Sequence, residues 1–233
     1  MQSSMWRALG NTYVVAEADG EGRLEPADAV ALARDADGVI EVLASSDERV
    51  EIAIWNPDGS GAELSGNGTR IAAAWLTARS GAERIEVVVG ERSVNTRVLE
   101  EGVLEQDLGE VTVAPTETIE GFSVTPVSVG NPHAVVLGEP DTIVYIGPLL
   151  ETHPRFPDRT NVQVARIDAP GKVTARVWER GVGETASSGT SAVAVAAATH
   201  GAGDVVVRFP GGDLHVRLAG DRAWLYGSAE RVE

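Results

Sequence analysis

The chain contains no cysteine. Disulfide bridges, thiolate zinc sites and thiol nucleophiles are therefore excluded at once. Positive charge is scarce: 19 Lys and Arg stand against 35 Asp and Glu, for a formal net charge of −16. Nucleic acid is an unfavourable partner for such a surface, because phosphate binding needs basic side chains. The acidity reads instead as solubility. A long apolar run is missing too. The Ala/Val stretch over 191–198 is far shorter than a bilayer-spanning helix requires. The opening residues, MQSSMWRALGNTYVV, hold no basic segment followed by an apolar one, so no signal peptide is expected. The expectation is a soluble, cytoplasmic protein with no membrane partner.

What is present suits a globular chain, with 43% hydrophobic and 23% charged residues. At 233 residues it can hold one large domain or two of roughly 115 residues each. Period-two alternation predicts strands at 50–55, 85–89, 172–178, 204–209 and 214–218, separated by Gly/Pro clusters such as NPDGSG and FPGGD. Helices are predicted over Pro26–Arg34 and in the Ala-rich runs after Ser65 and Ser188. The class is α+β.

The two halves of the chain share an order of words. Gly10-Asn11 and Gly130-Asn131 each precede an apolar strand, and Ser65-Gly66 and Ser188-Gly189 each open an Ala-rich helix. Offsets of 120 and 123 residues relate the pairs. Trp55-Asn56 and Trp178-Glu179 each end a strand nine residues before their serine. Two related halves are expected, 1–115 and 116–233, with Ala223–Tyr226 closing the sheet of either one.

A helix N-terminus offers unpaired N–H groups and a partial positive charge, which suit a carboxylate or phosphate. Glycines there let a ligand approach the backbone. One Ser-Gly before a helix reads as an N-cap. Two of them in related halves can flank one acid group from opposite faces. That layout suits removal of a proton from one face of a carbon and its return to the other.

The stretches GNTYVV, NPDGSGAELSGNGTR, GNPHAV, FPDRTNV, WERGVGETASSGTSAVA and FPGGDL occur in the order seen in diaminopimelate epimerases. Over almost its whole length the chain resembles that family of cofactor-independent amino-acid racemases of the lysine pathway. The resemblance implies two pseudo-symmetric halves, each a sheet wrapped around a central helix. It also implies a homodimer, an amino-acid substrate, and neither pyridoxal phosphate nor metal. Ser65 and Ser188 fall at the family's acid/base positions. Asn11, Asn56, Asn131 and Asn161 match its substrate-contacting asparagines, and Glu179-Arg180 its pair near the distal amino-acid group. Gly66-Asn67 and Gly189-Thr190 match the mouths that take the reacting α-carboxylate, and His133 lies beside the site. His153, His200 and His215 show no ligand spacing.

Two departures stand out. The family carries cysteine where this chain has Ser65 and Ser188, and a longer segment before the motif Ala36–Val39, here shortened over Pro26–Ser46. A serine hydroxyl needs a neighbour to take its proton, and no such partner is adjacent in either motif. Three readings stay open: an epimerase with altered mechanism or substrate, a relative that binds without racemising, and a variant whose thiols were exchanged for serine. A double-bond isomerase branch of the same fold is less well matched by GNG-x-R and ERGVGET. A serine hydrolase would need a Gly-x-Ser-x-Gly elbow, which Ser187-Ser188-Gly-Thr-Ser lacks.

Overall fold

Strands and a few helices alternate along the computed structural model, which describes residues 2–17, 23–62, 65–99 and 102–232. Two contact-dense units divide the chain, one comprising 1–107 with 226–233 and the other 108–225. The expected division after residue 115 thus falls eight residues beyond the first crossing, and the strand over Arg222–Ser228 is divided between the units.

The first unit opens with β1 (Gln2–Ala8) and β2 (Asn11–Glu17), an antiparallel hairpin. Helix α1 (Pro26–Leu32) starts on a proline, which has no N–H to waste at that position. A single 3-10 turn over Ala33–Asp35 extends it. It bridges β2 to β3 (Gly38–Ser45), a parallel neighbour that a short turn could not reach. Next come β4 (Arg49–Trp55), the short β5 (Gly61–Ala62), α2 (Gly66–Ser80), β6 (Arg84–Val89), β7 (Arg92–Val98) and β8 (Val103–Glu110). Helix α2 is the crossover between the parallel strands β4 and β6. Gly81, left-handed at φ 75°, stops it and returns its N–H to the Thr77 carbonyl.

The second unit begins with β9 (Thr112–Val113), β10 (Glu117–Ile119), β11 (Phe122–Ser128) and β12 (Pro132–Leu137). Helix α3 (Ile143–Glu151) leads to β13 (Asn161–Ala169), β14 (Lys172–Glu179) and β15 (Gly183–Thr185). Helix α4 (Gly189–Thr199) then crosses to β16 (Gly203–Phe209), β17 (Gly212–Ala219) and β18 (Arg222–Ser228). The last short strand, β19 (Glu230–Arg231), pairs with β1. From β11 to β18 the element order repeats that from β1 to β8, including the parallel pairs β12/β13 and β14/β16. Even the irregularities recur: one register shift falls between Val42 and Ala44, another between Ile167 and Ala169. The chain therefore has the expected α+β fold of two pseudo-symmetric halves.

In each unit the strands pack against one central helix. Ile71, Ala72, Ala73, Trp75 and Leu76 of α2 pack into a cluster with Ile40, Ile52, Ile54, Ile85 and Val87. Helix α4 is apolar on every side, and 189–197 are buried throughout. A helix of that kind belongs in a core, and its many alanines let strands approach closely. Helix α3 was not expected, because Gly147 and Pro148 interrupt its pattern. Gly147 has a packing reason: a Cβ there would lie 2.7 Å from Trp178 side-chain atoms. No described helix is long and apolar enough to cross a membrane.

Candidate active site

Each helix mouth opens on a serine and follows a strand with a tryptophan at or next to its last position, Trp55 of β4 and Trp178 of β14. In the first unit Asn56 opens the turn that follows β4. Its Nδ2 donates to Ser60 Oγ at 2.9 Å, and Gly59, at φ 83°, donates its N–H to the Asn56 carbonyl. Glu63 and Leu64 of the next stretch lie outside the described residues. Ser65 is the N-cap of α2, with Oγ accepting the Gly68 N–H at 3.0 Å. Its carbonyl takes the Thr69 N–H at 2.8 Å and the Thr69 hydroxyl at 3.0 Å. The Tyr13 hydroxyl lies 3.2 Å from Ser65 Oγ.

Asn67 and Asn11 meet here. Asn67 Nδ2 donates to Asn11 Oδ1 at 2.7 Å, and Asn67 Oδ1 accepts from Arg70 Nη1 at 3.3 Å. Arg70 is wholly buried, and its Nη2 has no hydrogen-bond partner. Burial pulls its guanidinium down to about 10, which leaves it charged at neutral pH.

In the second unit the strand pair β14/β15 folds Glu179 back against the mouth of α4. Glu179 pairs with Gly183, and Trp178 with Glu184. Burial raises the Glu179 carboxyl above the usual carboxylate range, against hydrogen bonds from Thr185 and Ser188. Thr185 Oγ1 donates to Glu179 Oε1 at 2.5 Å. Ser188 is buried at the N-cap of α4, and its side chain makes no cap bond there. Gly189 and Thr190, the first residues of the helix, are buried beside it. A carboxyl group therefore stands beside Ser188. The motif hid it because Glu179 is nine residues upstream and reaches the serine only through the β14/β15 turn.

Asn161 ties two loops together: Nδ2 donates to the Pro132 carbonyl at 3.0 Å, and Oδ1 accepts the Arg180 N–H at 3.0 Å. Arg180 Nη1 donates to the Asp158 carbonyl at 3.1 Å. His133 is fully buried, with Nε2 3.0 Å from Asn131 Oδ1 and Nδ1 3.0 Å from Gln163 Nε2. Burial, with the nearby charge of Arg180, lowers its ring to about 3, so it is neutral at physiological pH. Its two nitrogens are spent on these partners. Each mouth is thus assembled within its own unit. The first holds Asn11, Asn56, Ser65, Gly66 and Asn67; the second holds Asn131, His133, Asn161, Glu179, Arg180, Ser188, Gly189 and Thr190. Sequence reasoning missed Tyr13 and Arg70. The signal for Tyr13 was its place two residues after Asn11, matching His133 after Asn131. Among the described residues, no cluster of three or more His, Asp or Glu is placed to hold a metal ion.

A family model for diaminopimelate epimerase matches residues 125–232. The diaminopimelate epimerase of Desulforudis audaxviator is 36% identical, over all of this chain and 97% of the relative. That of Synechococcus elongatus is 34% identical, over all of this chain and 96% of the relative. This chain belongs to the diaminopimelate epimerase family. The alignment with the Desulforudis protein spans 272 positions against 233 residues here, so that family member carries segments this chain lacks. Among solved structures, a predicted epimerase from Pseudomonas aeruginosa superposes with a TM-score of 0.76 at 17% identity, covering 99% of this chain and 96% of that one. A hydroxyproline epimerase from Agrobacterium vitis gives 0.72 at 17% identity, covering 100% and 89%. Both share the fold of the diaminopimelate epimerase family.

Proposed function

We propose that this chain is an amino-acid epimerase that interconverts LL- and meso-diaminopimelate by two-base proton transfer at the α-carbon, working as a homodimer. The observation that carries the reading is the buried Glu179 carboxyl set beside Ser188 in a chain of this family. Burial that raises this carboxyl makes it a stronger base than an exposed one. The Ser188 hydroxyl passes its proton to Glu179 as its oxygen takes the substrate α-proton. Ser65 delivers a proton to the opposite face of the carbon. Backbone N–H groups at Gly66, Asn67, Gly189 and Thr190 receive the α-carboxylate, where the helix termini stabilise the charge that develops.

The remaining residues bind and orient. Asn11, Asn56 and Asn131 contact substrate, Asn161 holds the Arg180 loop in place, and Arg180 engages the distal amino-acid group. His133, neutral and doubly bonded, supports the wall. The test is exchange of the α-proton of LL-diaminopimelate into D2O, followed by NMR. The native protein exchanges it, and Glu179→Gln slows the exchange by about 100-fold or more. Equal rates in the two proteins exclude Glu179 as the acceptor.

One observation favours a second reading, in which the chain binds the amino acid without racemising it: Ser65 Oγ is already engaged as the cap of α2. That reading gives ligand binding by calorimetry with no exchange.

A further inference from the structure

The serine of the first mouth has a titratable partner as well, and it comes from a different strand. In the second unit the partner is Glu179, at the end of β14. The same place in the first unit, at the end of β4, holds Asn56, which carries no exchangeable charge. Conversely, His133 of β12 gives its two nitrogens to Asn131 and Gln163. Its counterpart on β2 is Tyr13, and the Tyr13 hydroxyl reaches Ser65 Oγ at 3.2 Å. The placement of Tyr13 is enforced by packing. Gly38 lies opposite it on β3, and a Cβ there would sit 2.7 Å from Tyr13 Cε1 and 2.6 Å from the Trp55 carbonyl oxygen.

We infer that Tyr13 is the proton store for Ser65, so that the two serines are conduits to a phenol on one side and a carboxylate on the other. This rests on the epimerase reading above. In the delivering direction the Ser65 O–H bond breaks and its proton joins the electron pair of the substrate carbanion. The Tyr13 O–H bond breaks in turn, its proton replaces the one lost by Ser65 Oγ, and the negative charge comes to rest on the phenolate oxygen. The reverse turnover runs the same transfers backwards. An ordinary phenol titrates near 10 and a thiol near 8.5, whereas an aliphatic hydroxyl is a far weaker acid than either. Ending on phenolate rather than on a serine alkoxide removes most of the cost of using serine. The N-terminus of α2, with the Gly68 N–H on Ser65 Oγ, stabilises the charge that passes through that oxygen. Tyr13 acts through Ser65 and does not itself touch the reacting carbon.

Five proteins test this by α-proton exchange of LL-diaminopimelate in D2O: the native chain, Tyr13→Phe, Ser65→Cys, Ser65→Cys with Tyr13→Phe, and Ser65→Cys with Ser188→Cys. The phenylalanine keeps the ring that packs on Gly38, and melting curves verify folding. Tyr13→Phe in the native background lowers kcat by about 100-fold, the ordinary yield of a positioned acid or base. Its KM changes less than about twofold, since ground-state binding is untouched. With Ser65→Cys the same Tyr13→Phe change alters kcat less than about threefold, because a thiol needs no phenol behind it. A loss of equal size in both backgrounds makes Tyr13 merely structural and overturns the inference, as does full activity of Tyr13→Phe. A silent native chain beside an active Ser65→Cys/Ser188→Cys protein overturns the relay and leaves the binding site standing. Silence in both removes the epimerase reading and the relay with it.

Discussion

Trp55 and Trp178 close equivalent strands, and each donates its indole N–H to a buried glutamate: Glu41 at 2.9 Å and Glu151 at 2.7 Å. The glutamates come from different elements, β3 and the end of α3, so the two units reach one arrangement by two routes. In each, the bond anchors the strand end just before Asn56 or Glu179.

Glu151 holds more than the indole. It also accepts the Gly181 N–H at 2.7 Å and pairs with Arg159. Burial works to raise its carboxyl, and the bonds from Gly181, Trp178 and Arg159 outweigh it and hold the group below its ordinary value. A depressed carboxylate contributes stability above its unfolded pKa, and that stability disappears as pH falls through the folded one. Glu151→Gln should therefore lower stability by roughly 2 kcal/mol at pH 7. It should also flatten the loss of stability in acid. Urea unfolding of both proteins at pH 7 and pH 3 measures this, and an unchanged acid slope refutes it.

Glu179 carries the opposite sign. Its carboxyl is raised by burial, so its ionised form opposes folding above the ordinary carboxylate range, and the penalty disappears in acid. Glu179→Gln should melt at a higher temperature than the native chain at pH 7 and at nearly the same temperature near pH 4. Stability gained while exchange is lost is the signature of a site strained for function. Calorimetric scans at the two pH values decide it.

Ser65 and Ser188 differ as caps. Ser65 Oγ accepts the Gly68 N–H, and Ser188 makes no side-chain cap bond to α4. Ser65→Ala should cost about 1 kcal/mol in unfolding free energy. Chemical denaturation of this variant provides the check, and a cost near zero shows the cap bond to be worthless.

Gly147→Ala should disturb the second mouth from a distance. The new methyl meets Trp178 at 2.7 Å. A loss of about 1–3 kcal/mol is expected from overpacking. Quenching of Trp178 fluorescence by acrylamide should rise if the indole leaves Glu151; unchanged quenching means that the helix yields instead.

Much of the fold was legible in the sequence because the repeat is written in short, position-specific words. Gly-Asn marks the start of β2 and of β12, and Ser-Gly marks α2 and α4, where glycine and cap chemistry leave little freedom. The strand of 50–55 was visible for the simpler reason that one face is wet and the other dry. Helix α3 was not legible, since Gly147 exists to receive Trp178 and says nothing about helix periodicity. The partners of the two serines were equally hidden. Glu179 approaches Ser188 through a strand turn, and Tyr13 is separated from Ser65 by 52 positions. Hydrogen bonds between side chains distant in sequence leave no period to read.

The return of 226–233 to the first unit has a bearing on synthesis. Trp6 and Arg7 of β1 pair with Arg231 and Glu230, and the Val232 N–H donates to the Met5 carbonyl. The ribosome therefore finishes every residue of the second unit before it supplies the last strand of the first. Until then β1 has an open edge, the kind of edge that recruits other chains. The half made first is the half completed last.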